Sequence, residues 1–398
     1  MMKQKFDAVA AGHICLDIIP KLEISEVQEL GDLLVPGSLI NIGEATISTG
    51  GAVSNTGLAM HKLGLNVQPM GKIGDDFFGE GILSILGGYG LAESMTVVSG
   101  EKTSYTIVLT PGDIDRMFLH HPGANSTFCA DDINYEIVKR ARVFHLGYPT
   151  LMRKLYSDNG RELIEIFKKV KGLGVTTSLD VSLPDANSES GRVNWCKILS
   201  ELLQYVDIFM PSIEEAAFLL DRELFDLRRR QSENVGAVKV YEAADYMRLT
   251  ERILNLGTKI VCLKAGIRGL YVRTCSGEKA DAVVVAGRDV NTWSEREIWA
   301  PSLAAEKFGS ATGAGDASIA GFIAAYLKGY CPEDTLQIAN ILGWQNVRGL
   351  DALSTIEDWD ETVKMLADKN RRRNILDLDS NWRYSEAEQL YYGPNDRS

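Results

Sequence analysis

The sequence predicts an α/β protein whose central sheet is mostly parallel and covered by helices on both faces, with a second, smaller β-sheet beside it. Two observations lead to this prediction. Short β-branched segments alternate with helical patterns over most of the 398 residues, which favours parallel strands connected by helices. Two other segments, residues 13–49 and 102–120, break the alternation and show the two-residue period of strands.

The main elements can be placed in chain order. Residues 6–11 predict the first strand, and residues 52–63 predict a helix that ends at Gly64. Asp75 and Asp76 are suitable N-caps for a second helix that runs through Leu86. Further strands, each next to a helical stretch, are predicted over residues 67–73, 143–146, 175–181, 206–210 and 260–263.

The two segments without a helical pattern predict the small sheet. Residues 40–42 and 45–49 alternate in polarity, and residues 102–120 predict a hairpin that turns at Pro111-Gly112-Asp113. A sheet built from these segments would project from the main domain in the position of a lid. Its strand edges could pair between two copies of the chain, so a homodimer through the lid is expected.

Residues 1–369 are expected to form the main domain, and residues 370–398 a C-terminal extension of unknown role. The periodicity of the extension is weak. Its aromatic residues nevertheless predict that it packs against another surface. They are Trp382, Tyr384, Tyr391 and Tyr392.

The composition excludes several classes of partner. A net charge of −12 argues against non-specific nucleic-acid binding, which requires clustered cations. No segment approaches the ~20 apolar residues of a membrane span, and the first residues lack the apolar segment of a signal peptide. Six scattered cysteines without a C-x-x-C pair are typical of reduced thiols, and no histidine motif for zinc occurs. A cytoplasmic protein without membrane or nucleic-acid partners is expected.

The strongest chemical motif is a glycine-rich turn that opens a helix, Thr312-Gly313-Ala314-Gly315-Asp316. Glycines allow close approach of a ligand to the backbone, and the free N–H groups of a helix start suit a phosphoryl group. The carboxylate of Asp316 could accept a proton from a substrate hydroxyl. It could equally serve as an ordinary helix cap, and the loop alone leaves both interpretations open.

Two other interpretations of this loop fit less well. A Walker A motif requires G-x-x-x-x-G-K-[ST], which occurs nowhere in the chain. A dinucleotide-binding fingerprint requires a third glycine where Ser318 stands, and the loop lies late in the chain.

A second motif, Gly50-Gly51 followed by Asn55, also opens a helix. An asparagine side chain has donors and an acceptor, as recognition of a pair of polyol hydroxyls requires, although a tight turn would also explain the glycines. Asp17 is expected just past the carboxyl end of the first strand. Ligands of open α/β sheets bind at such strand ends, so Asp17 is a third candidate.

The order and separation of these motifs resemble the PfkB, or ribokinase-like, carbohydrate kinases from Phe6 to the 360s. The early motif continues into residues 71–79, and the late motif leads into Gly321 and Phe322, as in that family. The resemblance implies a three-layer α/β/α sandwich with a β lid, and ATP-dependent phosphorylation of a sugar-like hydroxyl with Mg²⁺.

The resemblance also implies roles for individual residues. Asp316 would be the base, with an anion hole formed by Gly313, Ala314 and Gly315. Glu215 would bind the metal through water. The sugar would be held by Asp17, Gly50, Gly51 and Asn55, and ATP by Ser212, Lys264, Gly266, Thr312 and Asn340.

The chain departs from the family pattern at three places. Ser212 replaces the asparagine of the N-x-x-E motif, which shortens the reach of the side chain towards metal and phosphate. Ser310-Ala311 replaces the usual Asp-Thr, and in many relatives that aspartate helps to hold an activating monovalent cation. Potassium activation is therefore not expected. The segment 222–250 and the extension after residue 370 have no family counterpart.

The expected function is phosphorylation of a neutral sugar, because Ala52 and the scarcity of nearby cations do not suit a sugar phosphate. Two alternatives remain open at this point. One is a nucleoside kinase of the same architecture, with aromatic lid residues stacked on the base. The other is a sugar-binding regulator that has lost catalysis, which the changes at Ser212 and Ser310 would allow.

Overall fold

The computed structural model describes residues 5–22, 36–110, 117–232, 236–276, 290–306, 308–368 and 371–397. In these residues the strands, in chain order, are β1 (Phe6–Gly12), β2 (Cys15–Pro20), β3 (Ala45–Gly50), β4 (Val67–Met70), β5 (Lys72–Gly74), β6 (Thr96–Val98), β7 (Tyr105–Leu109), β8 (Met117–His121), β9 (Ala141–Gly147), β10 (Thr176–Leu179), β11 (Ile208–Phe209), β12 (Ile260–Lys264), β13 (Leu270–Thr274), β14 (Glu297–Ala300), β15 (Arg383–Ser385) and β16 (Leu390–Tyr392).

The α-helices connect and cover these strands. They are α1 (Ala52–Lys62), α2 (Phe77–Gly87), α3 (Tyr135–Val138), α4 (Arg153–Tyr156), α5 (Arg161–Gly172), α6 (Trp195–Leu202), α7 (Ile213–Leu220), α8 (Arg222–Gln231), α9 (Ala243–Asn255), α10 (Ala314–Lys328), α11 (Pro332–Asn346) and α12 (Trp359–Ala367). Within the described ranges, no helix has both the length and the apolar character needed to cross a membrane.

Ten strands form the main sheet, in the order β15-β16-β14-β13-β12-β11-β10-β9-β1-β4. The strands from β4 to β12 pair in parallel, and those from β12 to β15 pair antiparallel. The predicted parallel core is therefore confirmed, with an antiparallel edge.

Consecutive residues of each central strand point into different halves of the core, because side chains alternate across a strand. In β9, Val143 packs with α1, α10 and α11, whereas Phe144 packs with α5, α6 and α7. Ile208 and Phe209 of β11 divide in the same way. Both faces of the sheet are thus buried, as expected for parallel strands that helices cover on both sides.

A separate four-stranded sheet has the order β3-β2-β7-β8, and its strands come from both segments predicted to form a lid. The hairpin of β7 and β8 is confirmed, while its predicted turn lies outside the described residues. Two details of the prediction were wrong. Residues 40–42 form no strand, and Asp17 lies inside β2 rather than just past β1.

The strand predicted over residues 67–73 is two strands that belong to different sheets. The first, β4, pairs with β1 in the main sheet, whereas β5 pairs with β6. The chain changes direction at Gly71, where a side chain would lie 2.9 Å from Ile14. The helix cap that follows is Asp76, whose carboxylate accepts from Gly79 N, while Asp75 binds Ser99 instead.

The C-terminal segment extends the main sheet. Strand β16 pairs with β14 through Ile298 and Trp299, and β15 pairs with β16. The side chains of Trp382 and Tyr392 are buried by this packing. The prediction that the segment packs against another surface is confirmed, and that surface is the edge of the main sheet.

Candidate active site

Five polar residues lie at the carboxyl ends of the parallel strands, where ligands of α/β sheets bind. Only Ser212 and Lys264 among them were predicted. His13 follows β1, Tyr148 follows β9, and Asp180 follows β10. Lys264 is the last residue of β12, and Ser212 starts the helix after β11. The start of α10 lies against this edge, because a side chain at Gly315 would lie 3.3 Å from Cδ of Lys264.

Asp316 lies in the first turn of α10, two residues after the first helical residue, and only 3% of its surface is exposed. Asn55 Nδ2 donates to its Oδ2 at 2.9 Å, and Thr56 Oγ1 donates to its Oδ1 at 3.2 Å. Tyr148 OH donates to Oδ2 at 2.7 Å. The carboxylate therefore binds side chains of α1 and of the segment after β9, and Gly313 rather than Asp316 occupies the N-cap position.

Tyr148 is a site residue that the sequence did not reveal. It follows Gly147 directly and has a left-handed backbone conformation with φ of 62°, which is uncommon for a bulky residue. Burial, together with the charges of Asp316 and Asp180, raises the pKa of Tyr148 well above its ordinary value. The phenol therefore stays protonated and acts as a donor to Asp316.

The two glycines of the early motif allow close packing that a side chain would prevent. A Cβ at Gly50 would lie 2.2 Å from Oδ2 of Asp17, so the carboxylate of Asp17 lies directly above this backbone. Gly51 has φ of 86°, and a Cβ there would lie 2.5 Å from the carbonyl oxygen of His13. Asn55, one turn further, has a buried Oδ1 without a partner among the described residues.

His13 and His120 lie close together, and neither was predicted as a site residue. The Nε2 atoms of His13 and His120 are 3.3 Å apart, and Nδ1 of His120 lies 3.0 Å from Oγ1 of Thr106. Burial lowers the pKa of His13 to about 3 and that of His120 to about 4. Both rings are thus neutral at physiological pH. Sulfur Sγ of Cys15 connects this group to Asp17 by donating to Oδ1 at 3.2 Å.

The phosphate side of the predicted site contains a buried ion pair. Lys264 Nζ lies 2.5 Å from Oδ1 of Asp180 and 3.8 Å from Oε2 of Glu215. Burial alone would lower the pKa of Lys264, but the two carboxylates outweigh it and raise this pKa. Lys264 therefore carries its positive charge next to the glycine turn of α10.

Ser212 and Glu215 form a reciprocal capping box at the start of α7. Glu215 N donates to Ser212 Oγ at 3.1 Å, and Ser212 N donates to Oε2 of Glu215 at 2.6 Å. The hydroxyl of Ser212 is thus engaged within its own helix. The other carboxylate oxygen of Glu215, Oε1, takes no part in this capping box.

A cavity of about 490 Å³ opens beside the glycine turn and continues away from Asp316. Five of the predicted residues line it, namely Lys264, Gly266, Ala314, Gly315 and Asn340. Asn340 donates from Nδ2 to the carbonyl of Ala300 at 2.9 Å and so fixes the wall of the cavity. Thr312 is engaged through its backbone, because its N–H donates to Ser310 Oγ.

The cavity also has lining residues that no sequence motif indicated. Trp344 comes from α11, and Asn374 comes from the C-terminal segment. Neither belongs to a motif that indicates chemistry. Their positions depend on the packing of distant parts of the chain, which no local pattern shows.

A sequence model described as the pfkB family carbohydrate kinase matches residues 6–359. Fructokinase-1 of Zea mays is 31% identical over 205 residues, which are 50% of this chain and 62% of that protein. Arabidopsis thaliana ribokinase, in complex with ribose and ATP, has a TM-score of 0.66 at 22% identity and covers 90% of this chain and 98% of its own. A nucleoside kinase of Methanocaldococcus jannaschii has a TM-score of 0.62 at 20% identity, and the match covers 91% of this chain and 98% of that protein's chain.

The two solved structures are below 25% identical to this chain, and they establish the fold alone. The expected three-layer α/β/α sandwich with a small additional sheet is thereby confirmed. The family match covers most of the chain, including both glycine motifs and the residues around Asp316. The chain therefore belongs to the pfkB family of carbohydrate kinases.

Proposed function

We propose that the protein transfers the γ-phosphoryl group of ATP to a hydroxyl of a sugar or sugar-like small molecule, with Asp316 as the base. The placement of Asp316 carries this proposal. Its buried carboxylate accepts from Asn55, Thr56 and Tyr148, in the first turn of a helix whose N-terminal N–H groups suit a phosphoryl group.

The acceptor would bind between Asp17, Asn55 and Asp316. Asn55 already donates to Asp316, so its unpartnered Oδ1 would accept from a sugar hydroxyl. Asp17, held above the backbone of Gly50, would accept from a second hydroxyl. Carboxylates on this side of the site disfavour a phosphorylated sugar by charge repulsion, which supports a neutral substrate.

ATP would occupy the cavity beside the glycine turn. Gly266 and Asn340 line this cavity together with Lys264, Ala314 and Gly315, and the last two directly precede Asp316 in the chain. The N–H groups of residues 313–315 would form the anion hole, and Lys264 would contact the phosphates. Contact of the Ser212 hydroxyl with ATP would require that it leave its capping bond to Glu215 N.

The residues around Glu215 fit Mg²⁺. The described part of the chain has no cluster of three or more histidine, cysteine, aspartate or glutamate residues that could hold a metal ion directly. Mg²⁺ bound to nucleotide needs only one or two carboxylates, because waters and phosphates supply its other ligands. Glu215 would hold the ion through water, with Asp180 nearby, and the bound ion would neutralise charge on the phosphates.

The reaction would proceed in line. The acceptor hydroxyl gives its proton to Asp316 as its oxygen attacks the γ-phosphorus, and the bond from that phosphorus to the bridging oxygen of ADP breaks. The anion hole stabilises the charge on the transferred group. The small sheet would cover the acceptor and exclude water, which would suppress hydrolysis of ATP.

The substitution Asp316→Asn tests the proposal. We expect kcat for sugar phosphorylation to fall by about 10³-fold or more, because the amide cannot take the proton. Affinity for ATP should stay within a few-fold, since the cavity and Lys264 are unchanged. The matched control is Asp360→Asn, which removes an exposed carboxylate of α12 and should leave kcat unchanged. Near-normal turnover of Asp316→Asn would refute the role of this residue.

A nucleoside is the second candidate acceptor, and the grouped rings of His13, His120 and Tyr148 favour it. The ring centroids of His13 and His120 are 5.1 Å apart, and those of His13 and Tyr148 are 6.0 Å apart. Neutral rings so grouped could stack on a base. ADP release with a panel of sugars and nucleosides would decide between the candidates. Binding of a sugar without turnover of any acceptor would instead support a regulator.

A further inference from the structure

The C-terminal segment forms part of the wall of the nucleotide cavity. Ala304 N donates to the carbonyl of Arg372 at 2.9 Å, and Asn374 N donates to the carbonyl of Ser302 at 3.0 Å. Leu303 and Arg373 form an antiparallel bridge between these two bonds. Residues 372–374 therefore run alongside residues 302–304, which line the cavity.

Arg373 fixes this arrangement. Its guanidinium donates to the carbonyl of Pro301 at 3.1 Å, to Gln337 Oε1 at 2.9 Å and to Gln389 Oε1 at 2.9 Å. These bonds join the cavity wall, α11 and a later part of the C-terminal segment at one point. Burial lowers the pKa of Arg373, as expected for a cation held by neutral acceptors. The neighbouring residue, Asn374, is thus held firmly against the cavity.

Hydrogen bonds determine which end of the Asn374 amide faces a ligand. Nδ2 donates to the carbonyl of Ile267 at 3.1 Å and to Ser302 Oγ at 2.8 Å. Ser302 Oγ gives its own proton to the carbonyl of Ile267, so it can only accept from Asn374. A reversed amide would place its oxygen against a carbonyl oxygen. The orientation leaves Oδ1 as the polar atom that Asn374 can offer to a bound molecule.

An amide oxygen in a nucleotide cavity selects for a donor on the base. The 6-amino group of adenine is such a donor, whereas the 6-oxo group of hypoxanthine or guanine would meet Oδ1 as a second acceptor. The nearby side chains of Leu303 and Trp344 provide apolar surface for the ring system. The cavity is therefore suited to a base with an exocyclic amino group.

We propose that Asn374, a residue of the C-terminal extension, selects the nucleotide donor by accepting a hydrogen bond from the 6-amino group of adenine. This proposal rests on the proposed function, because it assumes that the cavity binds the nucleotide. It gives the extension a role in specificity, in addition to its pairing with the sheet edge.

The test compares ATP with ITP, which differ at the purine in having a 6-amino or a 6-oxo group. Dissociation constants of both are measured by competition with a fluorescent ATP analogue, with Mg²⁺ and without an acceptor, so that turnover plays no part. The wild type should bind ATP about tenfold more tightly than ITP, as one hydrogen bond predicts. In Asn374→Ala the ratio of the dissociation constants for ITP and ATP should fall towards one.

Two further variants test whether the acceptor oxygen of Asn374, rather than its packing, causes the preference for ATP. Asn374→Asp keeps an oxygen acceptor and should keep the preference for ATP. The control Asn381→Ala removes an exposed asparagine of the same extension and should leave the ratio unchanged. The thermal unfolding midpoint of each variant shows whether it is folded.

The outcomes distinguish this proposal from the proposed function. If the wild type prefers ATP and folded Asn374→Ala keeps the same ratio, Asn374 does not select the base, while the kinase assignment stands. Loss of the preference in Asn374→Asp as well as in Asn374→Ala would also refute selection by an acceptor. If the wild type binds neither nucleotide, the proposed function itself fails.

Discussion

Tyr148 connects two parts of the site through a single hydroxyl group. Its OH donates to Asp316 at 2.7 Å, and the residue stands at the end of β9 in a left-handed conformation. Uncommon backbone conformations of bulky residues cost free energy and cluster at functional sites, where the surrounding structure holds them. We therefore interpret Tyr148 as a positioning residue for the carboxylate of Asp316.

Replacement of Tyr148 by phenylalanine removes this hydroxyl and keeps the ring. Loss of one hydrogen bond to a charged group is worth about 1.5–3 kcal/mol, so kcat should fall about 10- to 100-fold. KM for ATP should change little, because the nucleotide cavity does not include Tyr148. Steady-state kinetics with both substrates varied would measure the two effects.

The control for this substitution is Tyr384→Phe. Tyr384 lies in β15, at the opposite end of the sheet order from β1 and β9, and its ring is partly exposed. The substitution Tyr384→Phe should leave kcat and both KM values unchanged. An equal loss in the two variants, or a rise in KM for ATP in Tyr148→Phe alone, would contradict the positioning role.

At the residue scale, the sequence predicted those site residues that belong to a motif. Asp316, Gly313 and Gly315 were predicted because a glycine turn at a helix start indicates an anion site. Tyr148 and Asn374 were missed for a physical reason. Each is an ordinary residue type at a segment end, and its contacts join parts of the chain more than 100 residues apart.

Among the elements, α5, β10 and β12 are joined by one buried carboxylate. Asp207, just before β11, accepts from Lys171 Nζ at 2.6 Å and from Lys259 Nζ at 2.8 Å. The backbone N–H of Thr177 donates to its Oδ2 at 3.0 Å. Burial alone would raise the pKa of Asp207, but the two lysines outweigh it, and the pKa lies below its ordinary value.

The substitution Asp207→Asn should lower the free energy of unfolding at pH 7 by about 3 kcal/mol, because two lysines lose their buried partner. A carboxylate with a depressed pKa stabilises the fold above its unfolded pKa, and this contribution is lost as the pH falls through the folded value. The difference in the free energy of unfolding between wild type and variant should therefore be largest at pH 7 and decrease below about pH 4. Urea unfolding over this pH range measures it.

The control is Asp226→Asn, which removes an exposed ion pair with Arg222 on α8. It should cost less than about 1 kcal/mol, because solvent screens such pairs. Two outcomes would show that the buried carboxylate does not join these elements. One is a similar loss of unfolding free energy in both variants. The other is a loss in Asp207→Asn that stays constant at low pH.

At the element scale, the sequence predicted the central strands and the helices around them, because burial on two faces produces long apolar segments. It failed where pairing with a distant strand decides the structure. Residues 67–73 were predicted as one strand, yet the chain divides at Gly71 between two sheets. Strands β15 and β16 have three residues each and depend on β14 for their hydrogen bonds, so local preference could not reveal them.

At the scale of the whole molecule, the two larger sheets differ in how their edges are covered. In the main sheet, the edge that β14 would present is covered by the C-terminal segment. In the small sheet, β3 and β8 are edge strands, each paired on one side only within the described residues. Apolar side chains on these edges are exposed, with 49% of Ile47 and 52% of Leu119 accessible. Such edges tend to pair with another chain.

We propose that two copies of the protein associate through the small sheet. Light scattering after size exclusion should give twice the chain mass of 43.8 kDa for the wild type. Ile47→Asp or Leu119→Asp should shift the mass to one chain, because an edge that carries a buried charge cannot pair. Leu227→Asp places the same charge at an exposed leucine of α8 and should leave the dimer intact. A wild type that is monomeric at micromolar concentration, or lid variants that remain dimeric, would contradict the proposal.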